Sequence, residues 1–195
     1  HSADFVACHN PVFLHKYRMA EELKDGGSFL LNCPYRGAEL ASCLPAAFRQ
    51  YLSEHSIRFY VIDALKIGKE TGLNGRISTI LQAAFFAVTG LLPEADAKRH
   101  MKEAARNSYG KMGEKILHMN ETAIDRGFAE VEEISVSELA LQPTEKAMTG
   151  LDNSPLPAPP ALEQYVKTIQ QPVTDQRGNE LPVSAFLPYC DGATP

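Results

Sequence analysis

IRFYVIDA, residues 57–64, is the stretch whose reading decides the fold. Its β-branched and aromatic residues mark a strand, and Asp63-Ala64 ends it. Working back, SFLLNC (28–33) is a second apolar run, stopped by Pro34, and ADFVAC (3–8) is a third with the same character. Between the first two in chain order, Asn10-Pro11 offers a cap and a first-turn proline. That pair predicts a helix running to about Lys24 and halted by Gly26-Gly27. Between the next two, residues 38–55 read as helical with a break at Pro45. Short apolar runs separated by helix-length segments predict parallel strands with crossover helices.

Beyond residue 64 the pattern is helical. A short helix over 64–71 ends at Gly72. Over 76–92, Ile77, Ile80, Leu81, Ala84, Phe85, Val88 and Leu91 fall on helical spacing and predict a buried helix. Pro93 opens a charged, surface-facing helix through Tyr109, and a last helix covers about 113–126. The fold class is therefore α/β: a Rossmann-like three-layer parallel sheet, truncated at its N-terminal side, with a helical C-terminal half. Nine of the 13 prolines stand at or after Pro143, including the run Ser154–Pro160. Residues 141–195 accordingly read as an extended Pro-rich tail that serves as a linker.

Composition narrows the function. The 195 residues are 44% hydrophobic and 22% charged, within the globular range, so general disorder is excluded. A net charge of −5 argues against a nucleic-acid partner. No apolar run is long enough to span a bilayer, and residues 1–15 do not read as a signal peptide. Cys8, Cys33, Cys43 and Cys190 form no CxxC, which leaves reduced thiols in a cytoplasmic protein as the expectation and no ligand set for an iron–sulfur cluster. The histidines show no HxxxH or HExxH spacing, so a metal site is not expected.

In open α/β sheets ligands sit beyond the carboxyl ends of the strands. Asn10, Asn32 and Asp63 gather there, with the alternative that Asn10 caps a helix and Asn32 forms a turn. A Cys8–His9 nucleophile is disfavoured, since strand neighbours point to opposite faces. Gly72-Leu73-Asn74-Gly75-Arg76 precedes the buried helix, where free N–H groups and a guanidinium suit a phosphate or carboxylate. A plain helix stop and start would look the same. Asn120 lies inside the apolar stripe Ile116, Ala123, Ile124 and must find partners there. It either ties down backbone or meets a polar ligand. Ser78 resembles it more weakly on the buried helix.

Several phrases together carry a family resemblance: ADFVACHNPVFL (3–14), GGSFLLNCPY (26–35), RFYVIDALKIGKETGLNGRISTILQAAFF (58–86) and SYGKMGEKILHMN (108–120). They resemble the gamma domain of pyruvate:ferredoxin (flavodoxin) oxidoreductases. LPVSAFLPYCDGATP (181–195) is similar to the linker before the ferredoxin-like domain of those enzymes. The resemblance is close over 3–128 and 180–195 and loose over 130–179. It implies that residues 1–140 are part of a gamma domain and 141–195 a linker.

The resemblance implies a large homodimeric parent that oxidises pyruvate to acetyl-CoA and CO2 in the cytoplasm. That parent would use thiamine diphosphate, Mg2+, three [4Fe-4S] clusters and coenzyme A, and pass electrons to ferredoxin or flavodoxin. The isolated piece would hold no cofactor alone and be inactive. Its own tasks would be helping to bind coenzyme A and packing against other domains of the same polypeptide. The family pattern sets one coenzyme A-associated Asn two positions after an Arg. Here Arg76 is followed by Ser78, which donates and accepts but reaches less far. The second such Asn falls on Asn120. Two alternatives stand beside this: an interdomain packing module without ligand contact, and the same domain in a pyruvate:NADP+ oxidoreductase.

Overall fold

The three apolar runs become the sheet. In the computed structural model, which describes residues 2–140, 164–174 and 177–189, β1 is Ala3–Cys8, β2 Leu23–Asn32 and β3 Arg58–Ile62. They pair in parallel in the order β1-β2-β3, with Val6 opposite Phe29 and Leu30 opposite Tyr60. A short β4, Glu132–Ile134, adds antiparallel to β3. The sequence reading missed it: three residues without apolar alternation leave no strand signal.

Side chains on β2 and β3 alternate between two cores, as a period of two requires. Phe29, Leu31, Phe59 and Val61 enter one core, with Leu14, Leu40 and Leu52. Leu30 and Ile62 enter the other, with Ile67, Ile80 and Ala123. Strands buried on both faces read as unbroken apolar runs, which is why they were legible. On the first face lie α1 (Gly37–Cys43) and α2 (Ala46–Glu54), separated as expected near Pro45. Phe48 seals that layer edge-on to Phe29 and Phe59, with ring centroids 5.0 and 5.8 Å apart. Each such buried ring contributes about 1.5–3 kcal/mol.

On the second face lie α3 (Ala64–Glu70), α4 (Ser78–Thr89) and α6 (Glu114–Ala129), with α5 (Glu94–Tyr109) packed behind them. The charged α5 still buries Ala97, Met101 and Ala105 against α4 and α6. At its end Gly90 adopts a left-handed conformation and stops α4, so Leu91 falls beyond the buried stripe and is 66% exposed. Among the described residues no helix is long and apolar enough to cross a membrane.

In the β1–β2 connection two expectations fail. The helix foreseen from Pro11 to Lys24 is two short 3-10 turns, Pro11–His15 and Met19–Glu22. Asn10 does cap the first, its side chain accepting the Val12 N–H at 3.1 Å. Sheet pairing overrides helix continuation: Leu23 is already opposite Ala3, and Lys24 meets Asp4 at 2.8 Å. Gly26-Gly27 therefore ends no helix. The pair sits inside β2 at a register shift, with Gly26 at φ 73° and a Cβ on Gly27 only 2.9 Å from the Lys24 carbonyl oxygen.

A separate compact unit lies within residues 148–195. The Ser154–Pro160 run is outside the described residues. Where an extended linker was expected, the described part is helical: a π-helical turn at Val166–Gln170, a short α-helix at Gln171–Thr174 and 3-10 turns at Gly178–Glu180 and Val183–Tyr189. The intervening residues 161–171 contain no proline, and Tyr165 packs edge-on to Tyr189 at 4.9 Å while Ile169 is buried.

Helix packing on the second face turns on Gly127, where an added Cβ would lie 2.7 Å from both the Ala83 Cβ and the Ile80 carbonyl oxygen. Gly127→Ala is expected to cost about 1–3 kcal/mol in urea unfolding, because no flexible side chain can yield. Gly110→Ala, at an ordinary helical φ of −58° with open space around it, is expected to be neutral or stabilising.

Candidate functional site

The strand-end polar residues are consumed by the fold. Asn32, 4% exposed, donates from Nδ2 to the His9 carbonyl at 3.0 Å and accepts the Ala64 N–H on Oδ1 at 2.9 Å. It neither forms a turn nor faces a ligand; it fastens the end of β1 to the start of α3. Asp63 caps α3 by accepting the Lys66 N–H at 2.9 Å. Cys8 is buried and donates to the Asn10 carbonyl at 3.0 Å. Among the described residues no group of three His, Cys, Asp or Glu side chains is arranged to hold a metal ion.

What remains lies at the start of α4. The loop from Gly72 bends through three positive φ values, 84° at Gly72, 46° at Asn74 and 85° at Gly75. Leu73 is buried beneath it, its N–H bonded to the Gly68 carbonyl at 2.8 Å. This bend delivers Arg76 and Ser78 to the helix N-terminus. Ile77, at the cap position, supplies no side-chain acceptor, so the first N–H groups of α4 are left uncapped. Beside them is a cavity of about 340 Å3 lined by Leu73, Arg76, Ser78, Thr79, Tyr109 and Asn120, among others.

Arg76, Ser78 and Asn120 thus line one cavity. Asn120 is 4% exposed and donates from Nδ2 to the Ile116 carbonyl at 2.8 Å, one turn back on α6. One end of the amide thus ties down backbone, as the first of its two sequence readings expects. Among the described residues neither its Oδ1, the Arg76 guanidinium nor the Ser78 hydroxyl has a hydrogen-bond partner. An exposed guanidinium beside a helix N-terminus makes the rim attractive to anions. The Oδ1 of Asn120 can accept from an N–H or O–H. Thr79 and Tyr109 were not anticipated; Tyr109 comes from the far end of α5, and no local pattern announces it.

Comparison with known proteins agrees with this architecture. The family described as "Pyruvate ferredoxin/flavodoxin oxidoreductase" matches residues 1–130, and a domain of unknown function matches 152–195. The chain belongs to the pyruvate ferredoxin/flavodoxin oxidoreductase family. It is 36% identical over its whole length to a pyruvate-flavodoxin oxidoreductase of Klebsiella pneumoniae. It is also 36% identical over 99% of its length to a pyruvate:ferredoxin oxidoreductase of Moorella thermoacetica, and spans only 16% of either relative. A mitochondrial pyruvate dehydrogenase [NADP(+)] of Euglena gracilis is 32% identical over 96% of the chain, which spans 10% of that relative. The crystal structure of pyruvate oxidoreductase subunit PORC from Thermotoga maritima shares the fold, with a TM-score of 0.53 at 19% identity, over 69% of this chain and 66% of that one.

The two nearly buried amides predict costs of different size. Asn32→Ala orphans the buried Ala64 N–H and removes the bond to the His9 carbonyl, and is expected to cost about 2–3 kcal/mol in urea unfolding. Asn120→Leu removes one intrahelical bond and is expected to cost no more than about 1.5 kcal/mol.

Proposed function

We propose that this chain is the coenzyme A-docking part of a larger oxidoreductase that decarboxylates pyruvate to acetyl-CoA and CO2. The observation that carries the reading is that Arg76, Ser78 and Asn120 line one cavity at the start of α4. The residues suit the ligand's chemistry. Coenzyme A brings phosphate groups, which match the Arg76 guanidinium and the uncapped N–H groups of α4. Its pantetheine arm brings amide N–H groups, which match the acceptor end of Asn120. When bound, coenzyme A supplies the thiol that accepts the acetyl group. The chain's contribution is to hold and orient the carrier, with Ser78 assisting from the rim.

In this proposal residues 1–140 are part of the gamma domain and 141–195 the linker toward a ferredoxin-like domain. Thiamine diphosphate, Mg2+ and the three [4Fe-4S] clusters belong to other parts of the homodimeric, cytoplasmic parent, and ferredoxin or flavodoxin takes the electrons. The chain by itself is inactive. A second reading, with NADP+ as the final acceptor, is favoured by the Euglena relative. The packing-module reading draws on Ser78, whose hydroxyl reaches less far than an amide.

Asn120→Ala in the full-length polypeptide is expected to raise the coenzyme A concentration needed for half-maximal turnover about 5- to 30-fold, the equivalent of about 1–2 kcal/mol. The pyruvate-dependent radical, read by EPR before coenzyme A is added, should be unchanged. An unaltered coenzyme A requirement would remove Asn120 from the site and leave the packing module standing.

A further inference from the structure

The cavity at the start of α4 has a neighbour. A second cavity of about 280 Å3 lies between α4 and α5, and the two have Thr79 and Tyr109 in common. We propose that this second cavity is a nucleotide subsite that takes the adenine end of coenzyme A. The proposal rests on the docking reading above and extends it to a groove which that reading does not use.

The groove follows from the residues that the two helices turn toward each other. Thr79, Gln82 and Phe86 stand at i, i+3 and i+7, so they form one row along α4. Seven residues of α-helix carry that row about 10 Å along the axis. Opposite them, Ala104 and Ala105 of α5 are too small to fill the space, and the buried Met101 lines it as well. Tyr109, the last residue of α5, lies with Thr79 in the wall common to both cavities. Gln82 is exposed, while Phe86 and Tyr109 are half-buried. Among the described residues no hydrogen bond engages the Gln82 amide or the Tyr109 hydroxyl.

The order of groups along the protein matches the order along the ligand. Coenzyme A runs from an amide-bearing arm through a diphosphate to adenosine. In the docking reading the arm meets Asn120, and the phosphates meet Arg76 and the first N–H groups of α4. Next along α4 come Thr79 and Gln82, with the rings of Phe86 and Tyr109 in the same groove. A glutamine amide presents a donor and an acceptor together, the pair that the N6–H and N7 edge of adenine requires. The faces of adenine suit aromatic and methionine contacts. Among the described residues no Lys or Arg lines the groove, which makes a further phosphate a poor occupant. A bare hydrocarbon chain would leave the Gln82 amide without a partner.

The test uses the full-length polypeptide and adenosine 3′,5′-bisphosphate, the nucleotide end of coenzyme A without its arm. In the wild type this nucleotide is expected to inhibit turnover in competition with coenzyme A. Gln82→Leu removes the hydrogen-bonding pair, and Ala104→Leu fills the groove. Both positions are exposed, so neither change disturbs the core. Each is expected to raise the nucleotide's inhibition constant and the coenzyme A requirement together, about 5- to 30-fold. Asn120→Ala is expected to raise the coenzyme A requirement and leave the nucleotide's inhibition constant unchanged. A response to Asn120→Ala with none in either groove variant would overturn the subsite and leave the docking reading standing. So would a nucleotide that does not compete with coenzyme A. No response in any of the three variants would overturn the docking reading and the subsite with it.

Discussion

The close approach of α6 to α4 at Gly127 is the constraint on which the rest of the second layer depends. With no side chain there, the α6 backbone settles against Ala83 and the Ile80 carbonyl. That contact fixes the position of α6, and with it Asn120, relative to the first turn of α4. The 72–76 bend then supplies Arg76 and Ser78 to the same place. Arg76 and Ser78, near neighbours on a loop and a helix start, share one cavity with the distant Asn120 because two helices touch backbone to side chain. A bulky residue at 127 would disturb the site without touching it.

Polar groups in this protein divide by what the fold has already claimed. Asn10, Asn32 and Asp63 stand where open α/β sheets place ligand-binding residues, yet each side chain is bonded to backbone, Asn32 at both ends. Asn120 has one end filled and one end open. Open hydrogen-bonding capacity on a side chain that lines a cavity is what a polar ligand would need. What sets Asn120 apart is that it also lines a cavity with Arg76 and Ser78.

Much of this was legible in the sequence, for physical reasons that differ by element. β2 and β3 were clear because burial on both faces leaves no polar residue to blur the run. α4 was clear because its apolar positions follow a 3.6-residue period, and only Leu91, past Gly90, fell outside it. The connection between β1 and β2 was misread because Asn10-Pro11 is a good helix start whose continuation is vetoed by the pairing of Leu23 with Ala3, a contact no local pattern encodes. Asn120 was visible as an amide on an apolar stripe. Tyr109 was not, since a tyrosine closing a charged helix carries no sign of the cavity it will line.

The central claim is that the cavity at the start of α4 docks coenzyme A. A structure of the full-length polypeptide with coenzyme A bound tests it most directly. The account predicts the ligand in the cavity, an amide or hydroxyl of it within hydrogen-bond distance of the Asn120 Oδ1, and a phosphate near Arg76. Coenzyme A ordered elsewhere in the polypeptide, with Asn120 covered by a neighbouring domain, would contradict it.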